Sequence, residues 1–319
     1  MDVLGLGRSL LQITVERFLP VCPMENVWVV TSRAYSSIVR EQLPDIPSEQ
    51  ILLEPVGRNT APCIAYACSK IEQRYPGCKV VVTPADAFVL NTERFAHLIR
   101  KSLDFLDASA DPRIVTVGID PTRPETGYGY IRSCAASRGI VHKVEEFKEK
   151  PDLKTAESYL KDGRYFWNAG IFIFAASTIL SELREHAPQI MEQIDRIAPQ
   201  FYTAQESEAL DKYFPLCEKI SIDFAVMEKS RHIYVIAHDL GWSDLGTWGS
   251  VRQYRRLDAS GNTITSGQLS LHDCRDCMCA VEDGLQIIAV GLENYIIAYK
   301  NGKLLVCPLS REQDIKDFV

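Results

Sequence analysis

Up to about residue 120, short apolar runs alternate with longer amphipathic stretches. VWVVT at 27–31, ILL at 51–53, KVVVT at 79–83 and RIVTVGI at 113–119 are rich in β-branched residues and suit buried strands. Between them, 33–43, 61–75 and 92–106 carry helical spacing. Pro44 stops the first of these helices and Gly77 closes the second. Thr60 is expected to cap the second, with Pro62 in its first turn, where proline is tolerated. Alternation of this kind predicts an α/β fold whose sheet is parallel and covered on both faces.

Beyond residue 120 the rhythm changes. Extended segments are expected at 128–132, 140–147, 168–174 and 233–237, and helices at 152–162, 176–198, 205–213 and 246–256. In the last sixty residues short β-type pieces alternate with polar turns, at 262–265, 267–271, 278–282, 285–290, 295–299 and 303–306, before a final helix at 311–318. Regular short strands suggest a small β domain or a few coils of a β-solenoid. The division expected is therefore 1–257 and 258–319.

Composition narrows the partners. The chain has 319 residues, 46% of them hydrophobic, enough for a substantial core. A net charge of −7 argues against wrapping nucleic acid or resting on anionic lipid, though a locally basic pocket for a small anion remains open. No apolar run approaches the roughly 20 residues that cross a bilayer. The N-terminus lacks the basic and apolar regions of a secretory leader. Most of the ten cysteines sit singly in apolar segments, as Cys63, Cys68 and Cys78 do, and read as small buried hydrophobes of a reduced, cytoplasmic protein. Cys274, Cys277 and Cys279, with His272, lack the second paired knuckle of a zinc site.

In an open α/β sheet, ligands sit beyond the carboxyl ends of the strands. Three polar stretches follow strand runs: Glu54 to Pro62, Pro84-Ala85-Asp86, and His238, Asp239 and Asp244. Asp86 and Asp244 could converge on one cation, since magnesium takes one or two carboxylates and leaves its other positions to water and phosphate. Strand-end aspartates also serve as turn-formers or helix caps. The residues alone lead to an α/β protein with a candidate magnesium–phosphate site.

EPVGRNTAP, TPAD, TGYGYI, FKEKP, WNAGIFIF, IDFAVMEKS and GWSDLGTW follow one another in an order that resembles the mannose-1-phosphate guanylyltransferases, a branch of the sugar-phosphate nucleotidyltransferases. The resemblance runs from residue 2 to about 317. It implies a Rossmann-like nucleotidyltransferase domain with a mostly parallel sheet, and a C-terminal left-handed β-helix. The implied reaction joins GTP and mannose 1-phosphate, giving GDP-mannose and pyrophosphate. It further implies that Asp86 and Asp244 hold Mg2+, with the apolar turn around Asp244 excluding water. Glu54 would read the guanine edge, with Arg58, Asn59 and Thr60 completing the nucleotide contact. Gly129 would allow close backbone approach to a ligand. Glu149 would bind sugar hydroxyls and Lys150 the sugar phosphate, and Asn168 and Gly170 would line the sugar side. Phe172, Phe174, Trp242 and Trp248 read as packing residues. A homodimer is expected from the C-terminal β-type segments.

Two departures bear on activity. The family opens with a strand and a loop of the type GGxGxRLWPLSR, then PKQF, whereas MDVLGLGRSLLQ matches the stretch after PKQF. The resemblance thus leads to the expectation that a central strand and the triphosphate cradle are missing from these residues. Gly5-Leu6-Gly7-Arg8 does not replace them, having no strand before it. Ala87 stands where the family commonly has histidine. Two other readings stay open: a catalytically inactive sugar-nucleotide-binding or regulatory homologue, and a guanylyltransferase for another sugar 1-phosphate.

Overall fold

The computed structural model describes residues 4–135, 139–264, 268–281 and 286–318. Thr265, Gly267, Glu282 and Leu285, each an expected end of a C-terminal strand, lie outside them. The helices are α1 (Leu10–Phe18), α2 (Ser36–Gln42), α3 (Thr60–Arg74), α4 (Thr92–Asp107), α5 (Leu153–Asp162), α6 (Ala176–His186), α7 (Pro188–Ile197), α8 (Glu206–Tyr213) and α9 (Trp248–Arg252). The strands are β1 (Val29–Ser32), β2 (Ile51–Glu54), β3 (Lys79–Val82), β4 (Phe88–Val89), β5 (Ile114–Ile119), β6 (Tyr130–Ser133), β7 (Val141–Lys148), β8 (Tyr165–Ala175), β9 (Ile233–Ala237) and β10 (Trp242–Ser243). Six more follow: β11 (Thr263–Ile264), β12 (Gln268–His272), β13 (Met278–Val281), β14 (Gln286–Val290), β15 (Tyr295–Lys300) and β16 (Lys303–Pro308). None of the described helices is long and apolar enough to cross a membrane.

The chain divides into two compact units: Val15–Pro84 with Val89–Trp242, and Met1–Thr14 with Ala85–Phe88 and Ser243–Val319. The larger is built on a six-stranded sheet, ordered β3-β8-β5-β9-β7-β6. Alternate residues of its central strands serve opposite layers, as the two-residue period of a strand requires. Val115, Val117 and Ile119 of β5 face one apolar layer with Phe95, Leu98 and Ile99 of α4 and Ala156 of α5. Ile114 faces the other, shared with α3, α6, α7 and α8. Gly118 sits where this packing is tightest. A Cβ there would lie 2.8 Å from Val235 Cγ2 and 2.9 Å from Phe166 Cβ.

The expectation of a mostly parallel sheet is corrected. Within the six strands only β5 and β9 pair in parallel, and β8 runs antiparallel to β3, β5 and β6. Outside them, β1 and β2 form a parallel pair. The early strand–helix units do carry parallel strands, but the long β8 lies between β3 and β5, facing opposite to both.

Helix ends follow local chemistry. Asp152 caps α5 through the Thr155 N–H at 2.8 Å, and Gly163 ends it in the left-handed conformation (φ 76°). The cap of α3 is Asn59, whose Oδ1 accepts from the Thr60 N–H at 2.8 Å, and not Thr60 as expected. The Thr60 hydroxyl instead accepts from the Ile222 N–H at 2.8 Å.

In the smaller unit β12 pairs in parallel with β14, and β13 with both β11 and β15. Gln268 faces Gln286 and Met278 faces Ile296, an offset of 18 residues in each case. Cys274, Cys277 and Cys279 fill the interior with Ala289 and Ile297. The Cys274 thiol lies 3.4 Å from the Ala289 carbonyl, and that of Cys277 3.4 Å from the Leu292 carbonyl. β16 folds back antiparallel on β15.

Candidate functional site

The motifs that carry Gly129, just before β6, Glu149, just after β7, and Asn168, within β8, meet in the larger unit. Gly129 is buried, and a Cβ on it would sit 2.5 Å from Glu149 Oε2 and 3.3 Å from Asn168 Cβ. Only glycine leaves that carboxylate its place. The Asn168 N–H donates to the Gly129 carbonyl at 2.8 Å, so the two motifs are fastened through the backbone. Gly170 has φ 69°, a conformation natural to glycine, and its N–H donates to Asn168 Oδ1 at 3.1 Å. The Thr116 hydroxyl donates to the same oxygen at 3.1 Å. An N–H can only donate, so Asn168 Oδ1 must face Gly170 and its Nδ2 must face the other way. There it donates to Asp223 Oδ1 at 3.0 Å.

Lys150, the fourth residue of FKEKP, has a left-handed backbone (φ 46°), strained for a lysine. Its Nζ lies 2.9 Å from Glu149 Oε1. The lysine side chain is 60% exposed while that of Glu149 is 9% exposed. The pair therefore presents a cation outward over a buried anion. The Glu149 N–H donates to Glu228 Oε1 at 3.0 Å. Asp223 and Glu228 bracket a π-helix, Asp223–Met227, closed by the Glu228 N–H on the Asp223 carbonyl at 2.9 Å. Such wide turns are rare and occur frequently at functional sites. Burial pushes the Asp223 carboxyl up to about 6, and the negative charge of Glu149 adds to that rise; its own backbone, Lys150 and Asn168 pull the other way.

The second group lies between β2 and α3. Glu54 ends β2 partly buried, and its Oε1 is buried without a hydrogen-bond partner among the described residues. Burial pushes this carboxyl up to about 7, partly offset by a hydrogen bond with the Cys63 thiol. Burial and the same carboxyl raise the Cys63 thiol, so it acts as a neutral donor. Arg58 Nη2 donates to the Pro215 carbonyl. Asn59 takes φ 69° and spends its side chain on the cap. The Ala61 N–H donates to the Ile220 carbonyl at 3.2 Å, and with the Thr60–Ile222 bond this fixes the loop to the segment that leads into Asp223.

Asp86 and Asp244 both belong to the smaller unit. Asp86 is exposed, between Ala85, whose carbonyl accepts from the Thr14 hydroxyl at 3.3 Å, and the buried Ala87 and Phe88. Asp244 is partly exposed, so the expected exclusion of water by the turn is corrected. Its Oδ1 accepts from the Gly246 N–H at 3.1 Å. A Cβ on Gly246 would come within 2.6 Å of Asp244 Oδ2. Leu245 and Trp248 anchor the turn against Leu4, Phe88, Val251 and Met278. Thr247 and Ser250 then exchange bonds of 3.1 Å as a capping box that starts α9. The apolar residues around Asp244 thus hold the backbone of its turn. Among the described residues no group of three or more His, Cys, Asp or Glu side chains could hold a metal alone. Carboxylates such as Asp86 and Asp244 are oxygen donors of the kind a hard cation takes beside phosphate and water.

Asp223 and Glu228 are absent from the expectations above, although IDFAVMEKS is one of the motifs. A five-residue turn leaves no trace in a search for a 3.6-residue period.

Comparison with known proteins gives the family. Residues 2–260 match the profile of a family described as nucleotidyl transferase. A mannose-1-phosphate guanylyltransferase of Escherichia coli is 34% identical over 320 residues, covering 98% of this chain and 68% of the relative. The mannose-1-phosphate guanylyltransferase RfbM of Salmonella typhimurium is 36% identical over 316 residues, covering 98% and 65%. The chain thus spans about two thirds of the length of these curated relatives. A crystal structure described as a mannose-1-phosphate geranyltransferase from Thermus thermophilus superposes with a TM-score of 0.83 at 28% identity, covering 99% of this chain and 90% of that one.

Proposed function

The chain belongs to the nucleotidyl transferase family, and from that premise we propose that it transfers the guanylyl group of GTP to mannose 1-phosphate, releasing pyrophosphate. The observation that carries this reading is the convergence of Gly129, Glu149, Lys150 and Asn168, from three separate motifs, on one small polar site.

The chemistry asks little of acid–base groups. An oxygen of the sugar phosphate, already anionic near neutral pH, forms a bond to the α-phosphorus of GTP. The bond from that phosphorus to the bridging oxygen breaks, and pyrophosphate departs with the electron pair. What the protein must supply is alignment and charge. Lys150, exposed beside Glu149, is suited to the phosphate of the sugar, and Glu149 accepts from sugar hydroxyls. Glu54 offers an orphaned carboxylate oxygen to the N1–H and N2–H₂ donors of guanine, which adenine lacks in that arrangement. Arg58, Asn59 and Thr60 hold the loop that carries it.

Asp86 and Asp244 are the residues that would hold magnesium. When bound, the ion offsets the repulsion between the two anionic reactants and draws charge from the departing pyrophosphate. That only a glycine at 246 leaves the Asp244 carboxylate its place supports this assignment.

Residues 258–319 are read as a left-handed β-helix appended to the nucleotidyltransferase part, 1–257, supported by parallel pairs offset by 18 residues in β12–β14 and β13–β15 and by 15 in β11–β13. A cytoplasmic homodimer is the assembly proposed. Outward apolar side chains at Ile288, Val290, Leu304 and Val306 support it.

The test is pyrophosphate release with a panel of nucleoside triphosphates and sugar 1-phosphates. Release confined to GTP with mannose 1-phosphate is expected. Equal release with ATP, or a preference for another sugar, would overturn the corresponding half of the proposal.

A further inference from the structure

We propose that Asp223 is a specificity-determining residue of the sugar site, where its carboxyl and that of Glu149 together receive adjacent hydroxyls of the sugar 1-phosphate. This rests on the function proposed above and adds to it a residue at which selection between sugars is made.

The argument begins with satisfaction of polar groups. Glu149 and Asp223 are acceptors when ionised; the Glu149 side chain is 9% exposed and Asp223 is partly buried. Asn168 Nδ2 donates to Asp223 at 3.0 Å. Lys150 neutralises Glu149 at 2.9 Å. The other charged groups nearby do not serve Asp223: Glu228 accepts from the Glu149 backbone at 3.0 Å, and Lys148 lies 3.9 Å from Glu228. One cation thus stands against two carboxyls that both lie beside the Asn168 amide. Burial and the field of Glu149 lift Asp223 to about 6, as expected of an under-compensated pair.

A phosphate monoester arriving at Lys150 changes this balance. It competes with Glu149 for the ammonium, leaving the two carboxyls without that cation. Buried acceptors without donors are costly, and a sugar carries hydroxyl donors close to its phosphate. Two neighbouring hydroxyls, one directed to each carboxyl, restore what the lysine withdraws. Their relative orientation is what distinguishes epimers, so a two-acceptor arrangement reads configuration where a single acceptor would read only presence.

The surroundings fit a reader held in place. Asn168 cannot turn, because Gly170 and Thr116 hold its oxygen at 3.1 Å each. The π-turn begins at Asp223 itself, and the Thr60–Ile222 bond fixes the residue before it.

The experiment is calorimetric titration of the whole chain, wild type and Asp223→Asn, with mannose 1-phosphate, its C2 epimer glucose 1-phosphate, inorganic phosphate and GTP. The asparagine keeps an oxygen for Asn168 and removes the charge. Expected are a loss of about tenfold or more in affinity for mannose 1-phosphate and a smaller mannose-to-glucose ratio, with phosphate and GTP affinities unchanged within about twofold. Wild-type affinity and ratio in the variant would overturn the role of Asp223 and leave the proposed function standing. Equal weakening toward all four ligands would mark a structural role and overturn it too. A wild-type chain that binds phosphate but neither sugar 1-phosphate would overturn both this inference and the proposed function. Should Asp223→Asn fail to fold, Asp223→Ser, smaller and still polar, is read by the same outcomes.

Discussion

The Cys63 thiol, in the first turns of α3, hydrogen-bonds the Glu54 carboxyl at the end of β2. It is a weak donor for a group that burial has pushed up to about 7. The guanine edge offers two stronger donors, and they favour the anion. GTP affinity is therefore expected to rise as pH rises through about 7. Below that value the carboxyl is protonated and affinity falls by up to about tenfold per pH unit, the bound proton being released on association. Titration between pH 5.5 and 8.5 in two buffers of different ionisation enthalpy checks both signs. Glu54→Gln should flatten the profile and reduce the preference for GTP over ATP.

The same carboxyl links to folding. Its folded value lies above the ordinary one of 4.5, so the native chain holds a proton that the unfolded chain releases. The contribution of Glu54 to stability is then fully present below about 4.5 and is lost as pH rises through about 7. In Glu54→Gln this part of the pH dependence should vanish from denaturation curves.

Asp244→Asn should leave the fold intact, because the amide oxygen can still accept from Gly246, and should lower turnover by about a hundredfold or more. Gly246→Ala tests the space itself. A methyl 2.6 Å from Asp244 Oδ2 must move the carboxylate. The magnesium concentration for half-maximal activity should rise while the melting temperature hardly changes.

Gly118→Ala places a methyl between Val235 and Phe166 in a fully buried strand. Overpacking of this kind costs about 1–3 kcal/mol. Urea denaturation should show the loss as a lower midpoint at constant slope.

Thr60→Val removes the acceptor for the Ile222 N–H, which lies 2.8 Å from the hydroxyl. A partly buried N–H left without a partner costs about 1–3 kcal/mol. Loss of affinity for both GTP and mannose 1-phosphate is expected as well, since this bond joins the nucleotide loop to the segment preceding Asp223.

Much of this fold is legible in the order of residues. The β-branched runs at 51–53, 113–119 and 233–237 form strands nearly as read, because a strand buried on both faces has little choice of composition. For the same reason strand direction is not legible. YFWNAGIFIFA is apolar on both faces, and nothing in it distinguishes a parallel from an antiparallel neighbour. Helix α1 is missing from the expected elements although its signal is present. In Ser9-Leu10-Leu11-Gln12 the serine hydroxyl accepts from the Gln12 N–H at 3.2 Å while Gln12 Oε1 accepts from the Ser9 N–H at 2.9 Å. Of the site, the glycines and charged residues carry their roles in their motifs. The Asn168–Asp223 bond does not, because it joins residues 55 apart through a turn of unusual pitch.

The 18-residue offset in the smaller unit has a consequence for how that part of the chain can change. Each parallel rung rests chiefly on its neighbours, so between β12 and β15, where the offset is 18, a segment of that length could enter or leave as one whole rung with its inward positions still inward; β11 joins β13 with an offset of 15. An insertion of odd length in a strand would turn cysteines and isoleucines out to water. The returning strand β16, antiparallel to β15, closes the stack on its side.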